Sequence, residues 1–510
     1  MAKNIVICCD GTGNEFGGSN SNVVRLYQAL VRDPGLQVAY YHPGVGTMGA
    51  RNALSASGKA WTKFRGLAFG YGLSENIADA YLFLMRTFEP NDQIYVFGFS
   101  RGAYTARALC GMLRMFGLLS AGNEGLLPYA IRLFKRNDDS LLARITGRPS
   151  KFRIAAEFQH TFCRVCKPHF AGLWDTVSSI LDPDESKRLP YTYDPKDSSI
   201  VRHAVSIDER RAFFRQNLVH VAPGRDVKQV WFAGVHSDVG GSYPEGESGL
   251  SKITLRWMLR EAKEAGLLLD DERVAGILGA QPSCVKPLAN ATIHNSLLPL
   301  WWLGEFWPIW TLRRVSPPDD PHPKFRGVPR FNLFRRRVIP EESCIHGSVL
   351  ARKTMLPAYA PSNLPKKYTS VDLPYTEAYP VHLEPGQTAV VGVHSRAKWN
   401  ETSLKFRKGE KYSLKASGTW YDARLSKGPA GYPSPCLLFR LVERLRRVPS
   451  ADWFSLIGTV GRNLEAPVVI GKCCIWDVQS EGILSCFAND LPSTYFYNSG
   501  WVKVEVTRLA

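Results

Sequence analysis

Several things are missing or scarce in this chain, and each absence removes a class of protein. The start, Met1-Ala2-Lys3, runs straight into the buried-strand pattern Asn4 to Cys9 with no cleavable signal. That predicts a cytoplasmic protein, or one exported by a route that needs no N-terminal signal. The nearly all-apolar stretch Leu297 to Leu312 is too short and too proline-broken to cross a bilayer, which takes about 20 apolar residues. Long disordered tracts are absent, and 45% hydrophobic with 22% charged residues is ordinary globular composition. A disulfide framework is not expected: the 11 cysteines are odd in number, and the adjacent pairs Cys8-Cys9 and Cys473-Cys474 sit inside apolar runs, where thiols behave as small buried hydrophobes. His160-x2-Cys163-x2-Cys166-x2-His169 has the residue types of a zinc site, but its uniform threes suit a short helix running into a strand and favour a structural role. Acidic residues are in deficit, 46 against 64 Lys and Arg, for a net charge of +18. The positive charge is scattered in small clusters, Arg313-Arg314, Arg335-Arg336-Arg337, Lys366-Lys367 and Arg444 with Arg446-Arg447. No nucleic-acid-binding module surrounds them, so nucleic acid is not an expected partner. They read as solvated surface, with anionic membrane surfaces as the functional option.

At 510 residues the chain is long enough for two or more domains. Residues 1–265 alternate short apolar runs with helix-like segments, the signature of a doubly wound parallel sheet with helices on its faces, an α/β core. Candidate strands are Asn4 to Cys9, Gln37 to Tyr41, Gln93 to Phe97, Phe170 to Trp174 and Val227 to Val235. A helix is predicted over Gly72 to Phe88, where Leu73, Ile77, Tyr81 and Leu84 recur at helical spacing. Residues 266–375 are rich in proline, tryptophan and arginine and read as an extension or lid packing on that core. Within them four tryptophans, Trp301 to Trp310, stand beside Arg313-Arg314, a pairing suited to a membrane interface or to a lid over a greasy pocket. A buried arm is the alternative. From residue 380 to 510 short alternating runs separated by Gly, Pro, Asn and Asp predict an all-β jelly-roll sandwich, with the boundary near 375 to 385.

Gly98-Phe99-Ser100-Arg101-Gly102 lies between the apolar run Gln93 to Phe97 and the helical pattern Ala103 to Phe116. Strand, sharp turn and helix are what a nucleophilic serine needs, with glycines two residues to either side for the close approach. The bland alternative is a turn whose serine only caps the helix. A serine nucleophile needs a base and an acid that orients the base, in the chain order Ser, Asp or Glu, His for hydrolases of this class. Asp175, after His169 to Trp174, is the candidate acid, with Asp208 and Asp238 as rivals. His236, after Val230 to Val235, is the candidate base. His203 and His220 fall in stretches that read as helical or irregular, and His294 and His346 fall outside the sheet. For the oxyanion, the backbone N–H of Arg101 should provide one donor. The loop Asp10-Gly11-Thr12-Gly13-Asn14 should provide the second, from Gly11 or Thr12, with Asp10 in support. This loop lacks the Lys-Ser/Thr ending of a phosphate cradle.

Cys9-Asp10-Gly11-Thr12, Gly44-Val45-Gly46-Thr47, Gly98 to Arg107, Gly172 to Val177, Ile207 to Arg211 and Val230 to Gly241 together resemble the uncharacterised α/β-hydrolase domain family that includes type VI secretion phospholipase effectors. The resemblance covers roughly residues 1–365. It implies a serine lipase or esterase, type VI-like export, and a triad on Ser100, Asp175 and His236. Gly13 departs from the tryptophan the family often carries there.

The tail resembles the PA-I-type galactophilic lectin, a calcium-dependent jelly roll, through Gly418-Thr419-Trp420, Gly428-Pro429, Leu456 to Gly461 and Asn489 to Gly500. This second resemblance implies calcium held by Asp490, Thr494 and Asn498 and by a carbonyl from the Trp420 to Asp422 loop, oxygen ligands of the kind calcium takes. Tyr497 stands where the lectin has an asparagine ligand, and the lectin's sugar-contacting histidine loop is missing. The expected function is a hydrolase of lipid or other acyl esters that needs no cofactor for catalysis, with calcium, a membrane surface and a glycan as further partners. The competing class is a glycan- or membrane-binding protein on a non-catalytic hydrolase fold.

Overall fold

A computed structural model describes residues 2–11, 17–44, 73–136, 149–177, 189–192, 198–221, 224–281, 283–297, 299–314, 325–372, 382–435 and 437–509. Thr12, the segment Val45 to Thr47 and most of the expected boundary near 375 to 385 lie outside the described residues.

Eight parallel strands form the main sheet: β1 (Asn4–Cys9), β2 (Gln37–His42), β3 (Gln93–Phe99), β4 (Pro168–Trp174), β5 (Ile200–Ser206), β6 (Asp226–Phe232), β7 (Ser343–His346) and β8 (Tyr368–Val371). Their order is β8-β7-β6-β5-β4-β3-β1-β2. Strand β1 sends Ile5, Ile7 and Cys9 into one core, with Ile94 and Val96 of β3 and the helices α2 (Leu73–Thr87) and α3 (Arg101–Phe116). Val6 and Cys8 enter the other core, with Tyr95, Phe97, Phe99 and the helices α1 (Asn22–Ala29) and α5 (Gly249–Glu264). Burial on both faces is why these strands read as continuous apolar runs.

Several features differ from the expectation. The stretch around His203 is a strand, β5, although Arg202 and His203 interrupt its apolar run. Each of these polar side chains is satisfied within the core: Arg202 by Glu261 and Asp226, His203 by Gln229 and Thr176. Strand β6 ends at Phe232, short of the expected Val235, because Gly234 turns the chain at φ 113° into the short helix α4 (His236–Gly240). The Pro- and Arg-rich stretch after residue 266 also contributes β7 and β8 to the main sheet, so His346, expected outside the sheet, ends a strand within it.

The C-terminal residues form two antiparallel sheets. One runs Thr388–His394, Ser499–Arg508, Lys411–Asp422 and Leu425–Lys427, with Cys473–Asp477 also on the Lys411 strand. The other runs Asn400–Phe406, Gly482–Ala488, Leu456–Val460 and Val468–Val469. Leu414, Trp420, Val502 and Val504 from the first and Phe406, Leu456 and Leu484 from the second share one core. Among the described residues no helix is long and apolar enough to cross a membrane.

Candidate active site

In the order β2-β1-β3-β4 the chain adds β2 on one side of β1 and β3 on the other, all strands parallel, and open α/β sheets gather ligands at the carboxyl ends of strands beside such a switch. Ser100 lies there, directly after β3, in a backbone conformation of φ 60° and ψ −123°. Holding a non-glycine residue there costs on the order of 1 to 3 kcal/mol, a cost that clusters at functional turns. The turn closes because its glycines leave no room for a side chain. A Cβ on Gly102 would sit 2.2 Å from the Cys9 carbonyl oxygen, and one on Gly98 2.5 Å from the carbonyl oxygen of Gly102. Ser100 makes no capping bond to helix α3; its hydroxyl points instead to His236 Nε2 at 2.8 Å.

Asp175 follows β4 at φ 39°, and its Oδ2 accepts from His236 Nδ1 at 2.6 Å. The Nδ1–H tautomer leaves Nε2 free to accept the Ser100 proton. His236 opens α4, and its ring lies between Phe99 and Phe214, centroids 4.7 and 4.9 Å away. The backbone N–H of His236 donates to Glu209 Oε2 at 3.1 Å, and Glu209 is itself paired with Arg211. Burial lowers the pKa of His236, and the adjacent Asp175 opposes this without reversing it. For Asp175 burial acts upward, but the Arg337 guanidinium and His236 outweigh it and hold the carboxyl far below the usual range.

The rival carboxylates have other work. Asp238 receives His294 Nδ1 at 2.6 Å and the Val235 N–H at 3.0 Å, and so shapes the first turn of α4. Asp208 accepts from Gly234 N–H and the Tyr359 hydroxyl, each at 2.8 Å. Asp10 accepts from Ser21 and Tyr41 at 2.6 and 2.8 Å and from the Gly11 N–H at 2.6 Å, so in this conformation the Gly11 donor is turned toward Asp10. Arg101 is the first residue of α3, directly after Ser100.

Sequence reasoning missed three residues of this site: Phe214, Glu209 as a bond partner of His236, and Arg337. The Arg335 to Arg337 cluster was expected to be solvated surface. Arg335 and Arg336 are exposed, but Arg337 is buried on Asp175. By residue type nothing in Arg335-Arg336-Arg337-Val338-Ile339 sets Arg337 apart from its two neighbours, so the sequence carried no signal for it.

The helix Pro299–Glu305 places Trp301 edge-on against Phe214 at 5.4 Å, while Trp302, Phe306 and Trp307 are exposed. Leu333 and Val338 are exposed on the neighbouring stretch. In the tail, Asp490 and Asn498 are buried and joined by a 2.9 Å hydrogen bond, and the Thr494 hydroxyl donates to Leu491 O. Among the described residues no group of three or more His, Cys, Asp or Glu gathers as a metal site, the His160 to His169 run included.

Residues 3–261 match the family described as T6SS, phospholipase effector Tle1-like, catalytic domain. The uncharacterised protein YEL023C of Saccharomyces cerevisiae is 38% identical over 228 residues, 42% of this chain and 32% of that protein, so the chain matches about a third of the relative's length. The Tle1 effector bound to the VgrG spike of the type 6 secretion system is 19% identical over 49% of this chain and 53% of that one, with TM-score 0.28. The PllA-like N-terminal lectin domain of EclA is 22% identical over 23% of this chain and 94% of that one, with TM-score 0.19.

Proposed function

Because this chain belongs to the Tle1-like family of type VI secretion phospholipase effectors, whose catalytic domain spans residues 3–261 of its 510, we propose that it is a serine hydrolase of acyl esters, with phospholipid as the substrate class. The observation that carries the reading is the continuous chain from Ser100 Oγ to His236 Nε2 at 2.8 Å and from His236 Nδ1 to Asp175 Oδ2 at 2.6 Å. Its three members follow the carboxyl ends of three strands of one parallel sheet.

In this mechanism His236 Nε2 takes the Ser100 proton as Oγ adds to the ester carbonyl carbon. The carbonyl oxygen becomes an oxyanion, stabilised by the Arg101 N–H and by a donor from the Gly11-Thr12 loop once Gly11 turns from Asp10. Collapse of the intermediate breaks the ester C–O bond, and the imidazolium returns its proton to the leaving alcohol oxygen. Water then attacks the acyl-enzyme, with His236 again the base, releasing the fatty acid and restoring Ser100. Asp175 remains ionised throughout and steadies the imidazolium.

The exposed Trp302, Phe306 and Trp307, with Leu333 and Val338 exposed and Arg335 and Arg336 in the same stretch as those two, give the protein a surface suited to an anionic membrane. In the tail, which we take as a jelly roll, Asn498 Oδ1 is buried without a hydrogen-bond partner. Burial raises the Asp422 pKa, and the nearby Asp490 carboxylate adds to the rise. Both features fit a cation held by Asp490, Asn498, Thr494 and Asp422, and calcium at that loop would order it. Phe496 and Tyr497, exposed and 3.8 Å apart, offer a face for a sugar ring.

The test is a panel of acyl esters and phospholipids incubated with wild type and Ser100→Ala, with and without calcium. Release by wild type alone supports the reading. No release from any substrate would favour a binding protein on a non-catalytic hydrolase fold.

A further inference from the structure

We propose that Arg337 is a positioning residue of the hydrolytic site, its guanidinium fork fixing the orientation and charge of the Asp175 carboxylate that holds His236. The inference rests on the roles given above to Ser100, His236 and Asp175.

Both terminal nitrogens of Arg337 reach Asp175, Nη1 to Oδ1 at 2.5 Å and Nη2 to Oδ2 at 3.0 Å. A planar fork on a planar carboxylate restrains rotation in a way a point charge does not. Ser206 completes the seat: its N–H donates to Oδ1 at 2.9 Å and its hydroxyl to Oδ2 at 3.2 Å, while Arg337 Nη1 reaches the Ser206 hydroxyl at 2.7 Å. With His236 Nδ1, five donors converge on one carboxylate. The same guanidinium holds the Phe214 carbonyl at 2.5 Å, and the Phe214 ring packs on His236 at 4.9 Å. One side chain thus sets both the acid behind the imidazole and a wall beside it.

The electrostatic consequence has a definite sign. Arg337 shares the charge of Asp175, which reduces what that carboxylate can do to stabilise protonated His236. The other groups facing the pair are Glu209 and Arg211 beside His236, and His203, with Arg107 beside it, near Asp175; Arg337 also lowers Glu209 and His203, so its removal moves both upward, in the same direction as His236. Removing Arg337 therefore raises the pKa of His236, and the acid limb of activity moves to higher pH. Ser206 and His236 still donate to Asp175 and keep it ionised near neutrality.

The experiment compares Arg337→Met and Arg337→Lys in the full chain, with a soluble nitrophenyl ester for turnover and a fluorophosphonate to count reactive Ser100. Arg337→Met should lose roughly 10- to 100-fold in kcat, the size typical for outer partners of a functional ligand, with KM within about two-fold. Its acid limb should rise, and millimolar guanidinium should restore part of kcat. Arg337→Lys, which keeps the charge but not the fork, should fall between. If folded Arg337→Met keeps kcat and the acid limb of wild type, the proposal is wrong. It is equally wrong if the loss only tracks the folded fraction, with no limb shift and no guanidinium response. Ser100→Ala separates the two levels: full turnover by that variant sinks the hydrolase reading and this one together, whereas its inactivity beside a wild-type-like Arg337→Met sinks this one alone.

Discussion

His203, His236 and His294 are all largely enclosed, and what faces each decides when it takes a proton. Burial, with Arg107 adding to it, pushes His203 down to about 4; Thr176 N–H donates to its Nε2, so it is the neutral Nδ1–H form that meets Gln229. His294 goes the other way, to about 9, because hydrogen bonds and charge from Asp238 and Glu247 outweigh burial. The signs follow from linkage. As pH falls from about 6.5 toward 4 the unfolded chain takes up a proton that folded His203 refuses, a loss of stability on the order of 3 kcal/mol. The His294 contribution is complete below about 6.5 and is lost as pH rises through about 9. Urea unfolding across pH should give a stability maximum between these flanks, with the acid slope reduced in His203→Gln and the alkaline slope in His294→Gln; unchanged slopes in both would contradict the assignments. For His236 the lowered pKa predicts an acid limb of kcat/KM below the ordinary histidine value near 6.5, checked on a soluble ester. The meeting of Ser100, Asp175 and His236 was legible in the sequence because each follows a strand-like run. Arg337 was not, because an arginine in a basic cluster looks solvated until the fold supplies its carboxylate.

At the scale of elements, the β3 to α3 turn depends on backbone meeting backbone. Gly102→Ala would drive a methyl into the Cys9 and Asp10 carbonyls, 2.2 and 2.4 Å from the ideal Cβ, and neither is a flexible side-chain end. A destabilisation of about 1 to 3 kcal/mol is expected from such overpacking, together with loss of fluorophosphonate labelling as Ser100 is displaced; a neutral variant would mean that β1 and α3 are less tightly joined. Glu305 buries its carboxylate on Ala212 N–H, Asn332 and Phe334 N–H, and so anchors the helix Pro299–Glu305. The helix thereby turns Trp301 inward and leaves Trp302, with Phe306 and Trp307 beyond its end, exposed. Replacing Trp302, Phe306 and Trp307 by serine should lower hydrolysis of anionic vesicles several-fold and leave a soluble ester unaffected; an equal fall on both would place these residues in the fold and not at the lipid surface. The sequence reading left membrane interface, lid and buried arm open for this stretch because apolar composition alone does not say which tryptophans have a packing partner.

For the whole molecule, a parallel sheet followed by antiparallel sheets was legible from the change of hydrophobic period near residue 380. The membership of β7 and β8 in the main sheet was not, since each is a four-residue run inside a long irregular stretch. The tail touches the preceding part of the chain through close packing of Gly246 on His394 and a 3.3 Å hydrogen bond from Arg462 to Asn290 O. If calcium occupies the Asp490 and Asn498 loop, millimolar calcium should raise the melting temperature of the full chain, and Asp490→Ala should abolish the rise; an equal shift in both proteins would place the ion elsewhere. The central claim is that Ser100 performs the ester cleavage, and fatty acid release from phospholipid vesicles by wild type and Ser100→Ala tests it most directly. The account predicts release by wild type and a loss of at least about a thousand-fold in the variant; equal release by the two proteins would contradict it.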